Sequence, residues 1–250
     1  MLVQTVFKRY ELKYMITLEQ KERILEAISP YMSLDQYGRI TIRNIYFDTE
    51  NYRLIRRSIE RPVYKEKLRI RSYSGATEDS TVFVELKKKY EKVVYKRRLP
   101  LTERDAMRWI CENEKCPVDT QISREIDYFI NFYEKLKPAV FLSYQREAYY
   151  EKSGGDFRVT FDDNVLCRQD DISLCAPVYG TPILPAGKVL MELKCPGAIP
   201  LWMTEVLSRE RIYKSSFSKY GTAYSKLIFP KQNLQNSTKH KEMIENGCNV

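Results

Sequence analysis

The chain of 250 residues contains a single histidine, His240. That scarcity excludes Ser-His-Asp and Cys-His catalysis, the HExxH zinc site and His-ligated metals in general. Its six cysteines, Cys111, Cys116, Cys167, Cys175, Cys195 and Cys248, are scattered without a CxxC pair. A zinc site or disulfide framework is therefore not expected, and the thiols should be reduced. Long apolar runs are absent too. The longest uncharged run, Ile172 to Gly187, carries Pro177, Pro182 and Pro185 and reads as a loop, so no membrane segment is expected. Met1 to Arg9 has no apolar stretch suited to a signal peptide, and a cytoplasmic location is expected. Walker A spacing is missing around Gly180 and Gly187-Lys188-Val189. With 9 Gly and 11 Pro, and no repeat or low-complexity segment, the chain is neither fibrous nor broadly disordered. Chemistry is left to carboxylates, Lys, Arg and Tyr.

What is present is a globular composition, 43% hydrophobic and 12% aromatic, long enough for a substantial core. One domain is expected over 1–230, followed by a polar tail at 231–250. Lys and Arg number 42 against 33 Asp and Glu, a net charge of +9 that suggests an anionic partner.

The placement of the charges narrows that partner. Side chains of a strand alternate faces, so Lys65, Lys67, Arg69 and Arg71 point one way. Phe83, Glu85, Lys87 and Lys89 follow on a second strand, and Val94, Lys96 and Arg98 on a third, in the manner of a meander. Further strands are expected at Phe7 to Lys13, Ile40 to Asp48, Ala139 to Tyr149, Phe157 to Asp162 and Lys188 to Lys194, about eight in all. Thr17 with Gln20 predicts a capping box before a helix through Ile28. Thr102 opens a second helix and Ile122 to Leu136 forms a third. Leu201 to Ile212 and Phe217 to Ile228 are further helical candidates.

A strand with one charged face is ordinarily an open sheet with that face in water. Here the charges are biased in sign, and like charges on neighbouring strands raise the energy of a sheet face. An alternative that relieves this is an α+β fold whose antiparallel strands close into a barrel, ionic faces inward around a bound anion and apolar faces outward under helices. Glu11, Glu85, Asp162 and Glu192 fall on the same ionic faces. They suit either ion pairs with neighbouring bases or a divalent ion, Mg²⁺ or Mn²⁺, shared with phosphate oxygens.

A series of motifs runs in order along the chain: Arg9-Tyr10-Glu11-Leu12-Lys13-Tyr14, Tyr46-Phe47-Asp48-Thr49, Lys67-Leu68-Arg69-Ile70-Arg71, Val84-Glu85-Leu86-Lys87 and Tyr95-Lys96-Arg97-Arg98. Tyr144-Gln145-Arg146, Arg158-Val159-Thr160-Phe161-Asp162, Met191-Glu192-Leu193-Lys194 and Ser216-Phe217-Ser218-Lys219-Tyr220 complete it. Together they resemble the catalytic domain of the vacuolar transporter chaperone (VTC) family of polyphosphate polymerases, within the CYTH or triphosphate tunnel metalloenzyme superfamily. The resemblance implies a triphosphate tunnel. In it Arg69, Arg71, Lys87, Arg146 and Glu192 would be catalytic, and Lys13, Arg43, Lys67, Lys96, Arg98, Arg158, Lys194 and Lys219 would bind phosphate. Glu192, with Glu11 and Glu85, would hold Mn²⁺ or Mg²⁺. The superfamily's hydrolases open on ExExK, whereas this chain has Arg9 in place of the first Glu. That loss of a carboxylate favours polymer synthesis over hydrolysis.

The expected activity is transfer of the γ-phosphate of ATP to inorganic polyphosphate. The competing expectations are a triphosphatase on the same fold and a non-catalytic polyphosphate or nucleotide sensor. Nucleic-acid binding is not expected, because many tyrosines fall opposite the cationic faces, where they should pack under helices.

Overall fold

The computed structural model describes residues 6–91 and 93–233, with side chains from Tyr10 onward. In chain order the elements are β1 (Val6–Thr17), α1 (Leu18–Ile28), β2 (Met32–Asp48), α2 (Arg53–Ile59), β3 (Tyr64–Ser72), β4 (Thr81–Tyr90), β5 (Val93–Thr102), α3 (Glu103–Cys111) and α4 (Gln121–Tyr133). They continue with β6 (Lys137–Glu151), β7 (Arg158–Arg168), β8 (Thr181–Pro182), β9 (Lys188–Cys195), α5 (Leu201–Arg209) and α6 (Lys219–Ala223), which runs into a π-helical turn, Tyr224–Ile228.

The strands form one antiparallel sheet in the order β6-β2-β3-β4-β5-β1-β9-β7-β8, with β6 also pairing β7. The simple closed barrel of about eight strands expected from the sequence is corrected here: the sheet has nine strands and its order ends on β8. That strand is two residues pairing Leu166 and Cys167 from within the proline-rich stretch, too short to leave any alternation in the sequence. β2 begins eight residues earlier than expected, at Met32, since its pairing with β6 passes through an irregularity between Leu34 and Arg39 that interrupts the period of two. Helix α2 was not expected either. Its N-cap, Tyr52, is left-handed (φ 57°) and has no side-chain cap, so the usual start signal is missing.

Register separates the two sides of the sheet. Ile45 pairs with Ile70, Phe47 with Leu68 and Ile70 with Val84, one apolar side. These residues enter a core with Trp109 of α3 and Ile126 and Phe129 of α4. A second core joins Val159, Met191 and Leu193 to Ile24 and Ile28 of α1 and Met203 and Val206 of α5. Both lie where the sequence puts them, between sheet and helices. A capping box at Thr17 and Gln20 starts α1, and Thr102 and Thr120 cap α3 and α4 by bonds to Asp105 N and Ser123 N.

The third core departs from expectation. Ile42, Tyr46, Leu142 and Tyr144 share the side of the sheet that carries Asn44 and Arg71, and they pack against Tyr220, Ala223, Tyr224 and Ile228. One end of the ionic side is thus filled by α6 and its π turn. The chain stays helical through 229–233, past the expected start of the tail at 231, and the remaining tail at 234–250 lies outside the described residues. The five described cysteines are free thiols. Among the described residues no helix is long and apolar enough to cross a membrane.

Candidate functional site

The opposite side of the sheet is ionic, and it is largely withdrawn from water. Four cations meet at Glu85 of β4, whose side chain is 0% exposed. From β3, Arg69 donates Nε and Nη2 to Glu85 Oε2 at 2.8 and 2.6 Å, and Arg71 Nε stands 3.9 Å from the same oxygen. From β5, Arg98 Nε and Lys96 Nζ reach Oε1 at 2.7 and 3.3 Å. The strands deliver this geometry directly, since Arg69 and Arg98 are the cross-strand partners of Glu85. Burial pushes the Glu85 carboxyl up, but Arg69, Lys96, Arg71 and Arg98 together hold it well below the carboxylate range.

A second hub forms on β6, β7 and β9. Arg146 holds Asp162 bidentately, Nε to Oδ1 at 2.6 Å and Nη2 to Oδ2 at 2.7 Å, and Lys219 of α6 donates to Oδ2 as well. Beside it Glu192 has Lys13 and Lys219 at 3.5 Å from Oε1, and Lys194 and Arg146 at 3.3 and 3.6 Å from Oε2. Burial again works against ionisation of Glu192, and these four cations overcome it, holding the carboxyl well below its ordinary value. On β1, Glu11 accepts from Lys87 at 2.6 Å; burial works against its ionisation, and Lys87 together with Lys194 overcomes it to bring the pKa down to about 2.

Lys67 completes the group from β3. Its Nζ donates to Ser218 Oγ at 3.3 Å. Burial, with Lys13 and Lys87 nearby, lowers its pKa to about 7. Such a depression follows from gathering like charges in a place sheltered from water.

Most of the residues singled out in the sequence therefore converge: Lys13, Lys67, Arg69, Arg71, Lys87, Lys96, Arg98, Arg146, Lys194 and Lys219 with Glu11, Glu85, Asp162 and Glu192. Two do not. Arg43 pairs with Ser72 on the side opposite Arg71, where its Nη1 donates to the carbonyls of Leu174 and Ala176 at 2.9 and 2.8 Å. Neighbouring Asn44, not Arg43, takes the inward position, one residue of register that the sequence leaves open. Arg158 is the strand partner of Lys194, but its guanidinium turns to Asp156 at 3.1 Å and to the ring of Tyr150 at 4.8 Å.

The arrangement fits a hard divalent ion in part. Glu11 and Glu192 lie on neighbouring strands, diagonally across the pairs Glu11–Lys194 and Lys13–Glu192, and each raises the other's tendency to stay protonated. Two carboxylates with substrate oxygens and water suit Mg²⁺ or Mn²⁺. Glu85 does not fit as a third ligand, since both its oxygens are taken by guanidinium and ammonium groups. Among the described residues no group of three or more carboxylate, thiol or imidazole donors gathers around one point.

Tyrosines were missed. None of them is among the candidate site residues read from the sequence, yet the hydroxyls of Tyr46, Tyr73 and Tyr144 accept from Arg69, Arg98 and Arg71 at 2.9, 2.6 and 2.8 Å. For Tyr144 the signal was present, because it stands two residues before Arg146 and so on the same face.

Residues 8–228 match the VTC domain, and the chain belongs to that family. Its fold is that of the triphosphate tunnel proteins. A candidate adenylate cyclase from Bacillus halodurans is 16% identical with a TM-score of 0.55, over 86% of this chain and 96% of its own. A candidate adenylyl cyclase from Hippeastrum, described as having a dominant triphosphatase activity, is 16% identical with a TM-score of 0.54, over 87% of this chain and 95% of its own. No curated relative matches the sequence.

Proposed function

We propose that the protein is a metal-dependent polyphosphate polymerase that transfers the γ-phosphate of ATP to a growing chain of inorganic polyphosphate. The observation that carries this reading is the density of cations on one sheltered face, gathered around Glu85, Asp162 and Glu192. Membership of the VTC family supports it.

Phosphoryl transfer needs positioning and charge stabilisation more than a covalent nucleophile, which suits a site made of Arg and Lys. Arg69, Arg71, Arg98 and Arg146 present planar donors to phosphate oxygens, and Lys13, Lys87, Lys96, Lys194 and Lys219 supply point charges around them. A divalent ion held by Glu192 and Glu11 would polarise those oxygens. The terminal oxygen of the polyphosphate attacks the γ-phosphorus as the bond to the β-bridging oxygen of ATP breaks, and ADP leaves with those electrons. The acids keep the cations separated and oriented before the anion arrives.

A triphosphatase is the second reading. The activity described for the Hippeastrum protein favours it, and it differs only in that water attacks. A sensor without catalysis is the third. Incubation of the purified protein with ATP and Mn²⁺, resolving polyphosphate, ADP and orthophosphate, separates them. Polyphosphate with ADP is expected. Orthophosphate with ADP, unaffected by added polyphosphate primer, means hydrolysis, and intact ATP means a binding protein.

A further inference from the structure

The cations of β3 and β4 do not stop at the two hubs. On the ionic side Lys67 stands directly opposite Lys87, and one step further Lys65 stands directly opposite Lys89. Like charges facing each other across a sheet are destabilising, and pairs on one face lie about 5 Å apart at Cβ. Lys87 is relieved by Glu11. The outer pair is not. Lys65 Nζ donates to the carbonyl of Ser58 at 3.2 Å, and among the described residues no carboxylate stands at ion-pair distance from Lys65 or Lys89. Instead further cations act on them, Lys13 and Arg61 on Lys65, and Lys87 and Lys214 on Lys89, where the more distant Glu11 offsets only part of their effect.

We propose that Lys65 and Lys89 form an outer anion subsite that takes the phosphate units of a linear inorganic polyphosphate beyond the third, so that the face discriminates by chain length. This rests on the phosphate-binding reading of the same face and extends it. Lys65 lies four residues from Arg69 on one strand, about 13 Å. The two P–O–P links of a triphosphate held at the arginines do not span that distance, whereas a longer chain continues onto the outer lysines. Burial and the neighbouring cations lower the pKa of both ammonium groups, as expected of two facing bases with no carboxylate in contact. A single-stranded nucleic acid carries one charge per nucleotide with a sugar between. It matches closely set ammonium groups less well than a chain charged at every phosphorus.

The test is calorimetric titration of wild type and the double variant Lys65→Gln/Lys89→Gln with tripolyphosphate, long-chain inorganic polyphosphate and oligothymidylate. Wild type should bind the long chain more tightly than tripolyphosphate. The variant should lose roughly tenfold for the long chain, the loss of one or two charge-assisted contacts, while its tripolyphosphate affinity stays within about twofold and reports an intact fold. Equal losses on both phosphates, or none, overturn the subsite. So does oligothymidylate responding as the long chain does. Wild type that binds tripolyphosphate but prefers no longer chain also overturns the subsite and leaves the phosphate reading standing, whereas wild type that binds neither phosphate overturns both.

Discussion

Tyr144 joins the two carboxylate hubs. Its hydroxyl accepts from Arg71 Nη2 at 2.8 Å, while its ring lies 4.4 Å from Lys219 Nζ and 5.1 Å from the Arg146 guanidinium. Arg71 also donates Nε to Asn44 at 3.0 Å and stands beside Glu85, and Arg146 and Lys219 both hold Asp162. One side chain thus sets the spacing of guanidinium groups that otherwise belong to separate strands. Tyr46 has a parallel role, accepting from Arg69 at 2.9 Å and stacking on Tyr220 at 5.0 Å.

Tyr144→Phe keeps the ring contacts and removes only the acceptor of Arg71. The buried guanidinium then lacks one partner, a cost of about 1–3 kcal/mol. We expect tripolyphosphate affinity to fall roughly tenfold and the melting temperature of the ligand-free protein to fall by several degrees. Tyr144→Leu, which also removes the face under Arg146 and Lys219, should fall further. Isothermal titration with thermal unfolding checks both, and unchanged affinity in Tyr144→Phe would show that Arg71 needs no support from it.

Lys67 gives a pH dependence of definite sign. Its pKa is lowered from the ordinary 10.5 to about 7. For a base depressed in the folded state, the cost to folding is fully present below about pH 7 and is relieved as pH rises toward the unfolded value. Lys67→Met should therefore be more stable than wild type at and below neutral pH, with the advantage gone near pH 10.5. A phosphate beside Lys67 favours its charged form, so ligand binding just above neutrality should take up a proton. Calorimetry in buffers of different ionisation enthalpy measures that uptake, which Lys67→Met should reduce.

The ionic face was legible in the sequence because its period of two survives in β3, β4, β5 and β9, where Arg69, Glu85, Arg98 and Glu192 alternate with Leu68, Val84, Leu99 and Leu193. The family resemblance added order to these segments. Register was not legible where no alternation constrains it, as at Arg43, where inward and outward residues are both polar. Asp48 was hidden for a different reason. It lies in a motif that was noted, but its partners come from 172 residues away at Tyr220 and from the first turn of α2, whose N-cap residue Tyr52 supplies no side-chain bond.

Asp48 carries the next prediction. Fully buried, it accepts from Leu54 N and Ile55 N at 2.9 and 3.0 Å and from the Tyr220 hydroxyl at 2.8 Å. It caps α2 and anchors the helix that carries Lys219. Asp48→Ala should cost about 2–4 kcal/mol, the loss of a cap together with a buried hydroxyl left unpaired. Urea unfolding reads the loss. Phosphate binding should weaken as well, since Tyr220 and Lys219 are neighbours on α6.

Glu192 is the decisive position for the metal. Glu192→Gln keeps the volume and removes the charge that Lys13, Lys194, Lys219 and Arg146 share. Two effects should follow, and they separate. Without ligand the melting temperature should fall, because four cations then face one another with only Asp162 and Glu11 to offset them; tripolyphosphate should restore much of it by supplying negative charge. With tripolyphosphate bound, Mn²⁺ should raise the melting temperature of wild type further and leave that of Glu192→Gln unchanged, since a hard cation among so many bases needs a carboxylate to enter. Glu85→Gln is the control: its oxygens are already committed to Arg69, Arg98 and Lys96, so it should destabilise the protein yet keep the Mn²⁺ response. If instead Glu192→Gln responds to Mn²⁺ as wild type does, Glu192 serves only to hold the cations apart, and the metal enters with the phosphates alone.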